Sequence, residues 1–423
     1  MNILILGSGG REHAFALKVA NSKLTKKLYV APGNSGTQQI ATNIQIDIND
    51  FEEVKRTSLK LGISMIIVGP EDPLVNGIHD FFANDEETKS IAIIGPKQNA
   101  ASLEGSKDFA KKFLVRHNIP TASYATFTRE NLNKGFEFLK TLTPPYVLKA
   151  DGLAAGKGVL IIDNFDDAKS QLTEMLVGEK FGIASSKVVI EEFLDGIELS
   201  CFVLTDGVNY KVLPTAKDYK RIGEGDTGLN TGGMGAISPV PFANKTLLNK
   251  IEQNIIIPTI EGLKKDNIEY QGFIFIGLIN VNNNPKVIEY NVRMGDPETE
   301  VVLPRIQNDF VEIFQSFKNK TLDKIELNID HRSAATVVLV SGGYPSSYNK
   351  GIKITGIDHV VDSTVYHAGA IREKENIYTN GGRVLAITSF GNNFQQALKN
   401  SYNSASKINF KGKYYRKDLG FDL

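Results

Sequence analysis

The chain opens NILILGSGGREH, an unbroken apolar run that ends in glycines. Such a run, with no polar alternation, belongs to a strand covered on both faces, and so to a parallel sheet flanked by helices. The pattern recurs at Leu28–Ala31, Met65–Val68 and Ile91–Ile94, with a helix-compatible segment at Ala14–Ala20 and helical or irregular stretches between the others. Strands alternating with helices predict an open, Rossmann-like parallel sheet over residues 1–100. At 423 residues the chain exceeds one ordinary core, and its length predicts about two to four domains.

The texture then changes. Ser106–His117 reads as a helix, and Val147–Lys149 and Val159–Ile162 flank a glycine loop closely enough to form an antiparallel hairpin. A helix over Ala168–Leu176 and a strand over Val188–Phe193 follow. Asp-Gly between Glu198–Thr205 and Asn209–Pro214 is a strong hairpin signal, and VNNN separates a second pair, Phe273–Asn280 and Lys286–Tyr290. Helical segments surround Val301–Leu303 and Phe310–Phe317. The second unit, residues 101–325, is therefore largely antiparallel, with a hairpin-bearing lid at about 121–192. From Ala334, AATVVLVSGGYP and GGRVLAITSFG are strands with glycine-rich exits, predicting a small α/β unit over 326–423.

Charge narrows the function. Lysine plus arginine and aspartate plus glutamate both number 48, so no global field draws the chain to nucleic acid or membrane. The apolar runs fall far short of a membrane span, and the opening run reads as a strand rather than a leader. The single cysteine, Cys201, excludes an intrachain disulfide framework and a cysteine-rich zinc site, and fits a reducing cytoplasm. Small anionic molecules remain as partners.

The glycine loops carry the chemistry. GSGGREH departs from the dinucleotide fingerprint: Glu12 stands at the third glycine position, and the second strand exits as YVAPGN without the usual acid. Gly9 and Gly10 can either present backbone N–H groups to a phosphate at a helix start or simply make a tight turn. In KADGLAAGKGV, the spacing from Gly152 to Gly156–Lys157 is one residue short of a Walker A loop, Gly158 replaces its hydroxyl residue, and a strand follows instead of a helix. The alternatives are a solvated turn and a flap folding over a triphosphate. In the flap, Lys149 reaches the nucleotide and Lys157 meets phosphates or steadies the lid.

Further along, VVIEEFLDGIELS brings Glu191, Glu192 and Glu198 close in sequence. They form a solvated face, or a cleft edge where the Glu192–Leu194 backbone reads the amino edge of adenine and Glu198 takes ribose hydroxyls. In IEYNVRMGDPETE, Glu289 and Asn291 share one strand face, a carboxylate–amide pair suited to Mg²⁺. Arg293 shares that face if the strand continues and suits two-pronged contact with a carboxylate or phosphate, while Asp296 and Glu298 follow in a loop. Asp218, Lys220 and Arg221 in AKDYKRIGEGD suit a sugar phosphate, and NTGGMGAISP suits closure over a small substrate.

Together these motifs closely resemble the phosphoribosylamine–glycine ligase family of the ATP-grasp superfamily, nearly end to end and in order. They include GSGGREHA at 7–14, VGPEDPLVNG at 68–77, LEGSKDFAKKFL at 103–114, KADGLAAGKGV at 149–159 and EEFLDGIELS at 191–200. DYKRIGEGDTGLNTGGMGA at 218–236, NVRMGDPETE at 291–300 and TNGGRVL at 379–385 continue the match. The resemblance implies ATP contacts at Lys107, Lys149, Glu191, Leu194 and Glu198, and Mg²⁺ or Mn²⁺ at Glu289 and Asn291. It implies that Gly9, Gly10, Asp218, Lys220, Arg221, Arg293 and Asp296 hold phosphoribosylamine and glycine. It further implies a monomer acting in purine biosynthesis through an acyl phosphate, with Arg293 and Glu289 as the residues nearest the chemistry. Two departures stand out: GFIFIGLI carries no second metal-binding acid, and Tyr219 replaces a histidine. The rival expectations are another ATP-grasp purine-pathway carboxylate ligase and a nucleotide-binding regulator without turnover.

Overall fold

A computed structural model describes residues 1–154 and 158–423. The first apolar run forms the strand Asn2–Gly7 at the centre of a five-stranded parallel sheet. It lies between Lys27–Pro32 and Met65–Val68, with Thr42–Asn43 and Ala92–Ile94 at the edges. Alternate side chains enter two cores: Leu4 and Leu6 join one, while Ile3 and Ile5 meet Phe15 and Val19 of the helix Gly10–Ala20 in the other. The helix starts directly at the glycine loop, earlier than the Ala14 expected from sequence, because Gly9 takes the extended conformation that ends the turn.

Chain order reverses at the central strand, so its carboxyl end and that of Met65–Val68 bound a crevice of the kind that receives ligands in doubly wound sheets. Here the crevice is filled from within. Gly9 donates its N–H to Glu12 Oε2 at 2.6 Å, Arg11 Nε meets Glu12 Oε1 at 2.6 Å, and a side chain at Gly69 would overlap the Glu12 carboxylate.

The second unit contains the expected antiparallel strands. Tyr146–Ala150 pairs with Val159–Ile162 and Val188–Glu192, and Tyr124–Phe127 completes this four-stranded sheet. Helices Leu132–Thr141 and Phe165–Leu176 close a separate apolar core on it. A larger sheet holds Asn284–Asn291, Gly272–Val281, Ile197–Thr205, Tyr210–Asp218 and Gly235–Ser238 in spatial order. It then continues into Ser333–Val340, Arg383–Gly391 and Thr364–His367 of the C-terminal unit, through pairing of Ala236 with Thr336 and Ile237 with Ala335. One eight-stranded sheet thus crosses the boundary that the sequence texture places near residue 326.

Several elements have no counterpart in the sequence expectations, a long helical stretch and a two-residue strand among them. Residues 245–265 form an unbroken helical stretch, Lys245–Ile251, Glu252–Ile256 and Ile257–Lys265, whose Ile251, Ile255, Ile260 and Leu263 are buried. Pro258 and Gly262 interrupt its pattern in the sequence, and its middle turn is a π-helix. The short strand Thr42–Asn43 is fixed by its neighbours rather than by its composition. Among the described residues, no helix is long and apolar enough to cross a membrane.

Candidate active site

Lys149 stands on the buried strand Tyr146–Ala150, opposite Val189 of Val188–Glu192. Its Nζ lies 2.9 Å from Glu191 Oε1 and 3.4 Å from the Ile288 carbonyl. Glu191 Oε2 meets a second buried lysine, Lys111, at 3.1 Å, and Lys111 also donates to Thr121 Oγ1 at 2.7 Å. Burial draws the Lys111 ammonium down to about 8, against the pull of Glu191. Glu191 therefore serves as the counter-ion that orients Lys149. Its neighbour Glu192 accepts from the Ser123 N–H at 3.0 Å and from Lys286 at 3.4 Å, and Leu194 lies half-buried in the following turn.

The expected hairpin also ties Lys107 into place. Asp151, where that strand ends, accepts from the Asp108 N–H at 2.7 Å and from Ser106 Oγ at 3.0 Å. The first turn of the helix Lys107–Arg116 is thereby pinned to the root of the glycine loop. Lys157 lies outside the described residues.

Glu289 and Asn291 both lie on Asn284–Asn291, two residues apart as expected. Burial opposes ionisation of Glu289, but Lys220, Lys107 and Lys149 overcome it and hold the carboxyl below its ordinary range. Lys220 Nζ contacts Glu198 at 3.0 Å, and Glu198, Asp218 and Glu289 together keep its ammonium strongly protonated. Burial pushes the Asp218 carboxyl up while Lys220 pulls it down. Glu298, with Oε1 3.2 Å from Ser200 Oγ, is pushed to about 7 by burial and then by Asp218. Residues from strands far apart in sequence thus converge on one charged cleft.

No cluster of three or more histidine, cysteine or acidic side chains suited to a metal occurs among the described residues. The Glu289–Asn291 pair nevertheless fits a hard cation that takes its remaining ligands from water and phosphate. Asn291 Nδ2 is buried without a partner, and the two orientations of an amide differ only in which atom occupies that point.

Four expected residues, Arg293, Arg221, Gly9 and Gly10, are placed differently. The strand ends at Asn291, so Arg293 does not continue its face; instead Nε meets Glu71 at 3.1 Å and Nη2 meets Glu104 at 2.7 Å. Glu104 also accepts the Val292 N–H at 2.8 Å, and burial raises its carboxyl to about 7 against Arg293. Arg221 turns away from Asp218 and Lys220, donating Nη1 to the Gly228 carbonyl of its own hairpin at 2.8 Å. At the first glycine loop, Gly9 donates to Glu12, and Arg11 donates its N–H to Asp296 at 3.4 Å. A side chain at Gly10 would overlap Glu300 Oε1. These glycines therefore admit three protein carboxylates.

Asp296 itself pairs with Arg383 of the C-terminal unit at 3.0 Å. Tyr219 lies away from the cleft: its hydroxyl donates to Asp422 at 3.0 Å and accepts from the Gly420 N–H at 2.9 Å. Sequence reading missed Glu71, Glu104, Lys111 and Arg383. Their motifs, GPED, LEGSKDFAKK and GGRVL, were visible, but their partners lie in other units.

Lysines facing a carboxylate–amide pair between two antiparallel sheets define the class, an ATP-grasp fold. The biotin carboxylase–β,γ-ATP complex from Campylobacter jejuni shares that fold, with a TM-score of 0.74, 14% identity, and coverage of 99% of this chain and 93% of that one. More particularly, the chain belongs to the phosphoribosylglycinamide synthetase family, whose N domain matches residues 1–104, ATP-grasp (A) domain 105–299 and C domain 334–422. It is 44% identical over 426 aligned residues to phosphoribosylamine–glycine ligase from Vibrio vulnificus, covering 100% of this chain and 98% of that protein. The crystal structure of phosphoribosylamine–glycine ligase from Thermotoga maritima matches with a TM-score of 0.84 at 35% identity, covering 99% of this chain and 100% of the other.

Proposed function

We propose that the chain joins glycine to 5-phosphoribosylamine at the expense of ATP, giving glycinamide ribonucleotide, ADP and phosphate, the second step of purine biosynthesis. The convergence of Lys107, Lys149 and Lys220 on Glu289 carries this reading, and full-length kinship with ligases of that name supports it. Oxide is too poor a leaving group for direct attack on a carboxylate. A glycine oxygen therefore takes the γ-phosphoryl group, giving glycyl phosphate and ADP. The phosphoribosylamine nitrogen then attacks the carbonyl, loses a proton, and phosphate departs.

Each residue has a part in this scheme. Lys149, oriented by Glu191, and Lys107 balance charge on the phosphoryl oxygens. The Glu192–Leu194 backbone meets adenine and Glu198 the ribose, and Lys157 meets the phosphates or steadies the lid over residues 121–192. Glu289 and Asn291 hold Mg²⁺ or Mn²⁺, which neutralises phosphate charge when bound. Arg293 orients the glycine carboxylate. Of its two carboxylate partners Glu71 is the more exposed, 28% against 6% for Glu104, so an arriving carboxylate displaces Glu71 while Glu104 keeps the guanidinium in place. Asp218, Lys220 and Asp296 face the sugar phosphate and amine. Gly9 contributes by admitting Asp296 close to the helix start and Gly10 by admitting Glu300 beside it, and Arg221 by holding its hairpin. Residues 1–100, 101–325 and 326–423 act as the three working units of a cytoplasmic monomer.

The test is ADP release from Mg-ATP with freshly generated phosphoribosylamine, with and without glycine. Release that needs both, with glycinamide ribonucleotide seen by mass, is expected. Release independent of glycine would overturn the reading.

A further inference from the structure

Both backbone polar groups of Gly232, in the NTGGMGA loop, are bound by side chains of the C-terminal unit. Its N–H donates to the Tyr344 hydroxyl at 3.0 Å, and its carbonyl accepts from Arg383 Nη1 at 2.7 Å. The same Nη1 donates to the Asp296 carbonyl at 2.7 Å and lies 3.0 Å from Asp296 Oδ1. The contact has no slack: a Cβ built on Gly232 would stand 2.9 Å from Arg383 Cζ, and one on Gly382 would overlap the Tyr344 ring.

The preceding residue carries the constraint toward Lys220. Thr231 donates both its N–H, at 2.7 Å, and its Oγ1, at 2.8 Å, to the Lys220 carbonyl. The Met234 N–H donates to the Tyr219 carbonyl at 2.8 Å. Lys220 in turn presents its ammonium to Glu198 and lies within the fields of Asp218 and Glu289. We propose that Arg383 and Tyr344 form a two-point clamp on Gly232 that positions Lys220 for the ligation. The C-terminal unit then governs turnover without touching the nucleotide, since Lys107, Lys149 and Glu191 are anchored independently through Asp151 and Lys111. Arg383 and Tyr344 are positioning residues in this arrangement. The proposal rests on the ligase reading of the cleft.

The experiment compares the full chain with R383A, Y344F and the double variant. It measures kcat, KM for ATP, glycine and phosphoribosylamine, Kd for a non-hydrolysable ATP analogue, and Tm. Each single variant is expected to lower kcat about tenfold or more, with a clearly smaller loss of nucleotide affinity passed on through the Lys220–Glu198 pair. Because both side chains act on one residue, the double variant is expected to be less impaired than the product of the single losses. Y344F removes a single oxygen atom and keeps the ring, so it decides the matter if R383A fails to fold. A fully active Y344F, or losses matched by equal losses of analogue affinity, would overturn the clamp. Absence of glycine-dependent ADP release in the unaltered chain would sink the ligase reading instead, which keeps the two failures distinct.

Discussion

Glu191 Oε1 lies 2.9 Å from Lys149 Nζ, with only 5% of either side chain exposed. The two form a buried ion pair on neighbouring strands, and Glu191 divides itself between Lys149 and Lys111.

Glu191→Gln should therefore leave two buried lysines without a carboxylate. The expected cost is about 3–5 kcal/mol of stability, together with at least tenfold weaker binding of a non-hydrolysable ATP analogue. Urea unfolding and calorimetric titration measure the two effects. Unchanged analogue affinity would show that Lys149 does not depend on this pair.

His13 and His367 join the first and third units: the His367 N–H donates to His13 Nδ1 at 2.9 Å, and Ser35 Oγ lies 2.7 Å from His367 Nδ1. Burial lowers His13 to about 3 and His367 to about 4 from an ordinary 6.5. Since the folded values are depressed, the unfolded chain binds these protons first. The stability from the neutral rings is complete above pH 6.5 and is lost as pH falls toward the folded values. The urea midpoint should drop between pH 6.5 and 5, and His367→Gln should flatten that slope. An equal slope in the variant would remove the histidines as its cause.

Glu300 behaves oppositely. Burial, and then Asp296, raise its carboxyl well above 4.5, and neither oxygen has a hydrogen-bond partner. The folded state favours the protonated acid, so its contribution is present below pH 4.5 and is lost as pH rises through the folded value. Glu300→Gln, which mimics the neutral acid, should unfold at a higher temperature than the unaltered chain at pH 8 and show a smaller gain at pH 5. A lower Tm at both pH values would contradict this account.

Gly10→Ala drives a methyl group into Glu300 Oε1. The expected cost is about 1–3 kcal/mol, the usual range for overpacking. Combination with Glu300→Ala should recover much of it, as read by thermal unfolding. A Gly10→Ala protein as stable as the parent would mean that the helix start shifts freely.

Glu289→Gln removes the charge of the proposed metal pair while keeping its shape. A fall in kcat of at least a hundredfold is expected, with a much weaker Mn²⁺ signal in the presence of nucleotide by electron paramagnetic resonance. Unaltered Mn²⁺ binding would place the metal elsewhere.

The sequence by itself determined the parallel first sheet, the hairpin-built second unit and the placing of Glu289 and Asn291 two apart on one strand. Those signals are local: an apolar run such as Ile3–Leu6, a turn such as Asp206–Gly207, or two residues sharing a strand face such as Glu289 and Asn291 report on their immediate neighbourhood. Tertiary structure alone decided how charges are spent. Arg293 stops short of the expected face because the strand ends at Asn291, and its guanidinium goes to Glu71 and Glu104. Gly9 and Gly10 resemble an open phosphate turn until Glu12, Asp296 and Glu300 arrive from nearby and from far along the chain. The continuous sheet through Gly235–Ser238 and Ser333–Val340 is likewise invisible in residue texture. The reason is physical: a buried charge must find its partner wherever folding brings one, and nothing in the residues beside it specifies that distance along the chain.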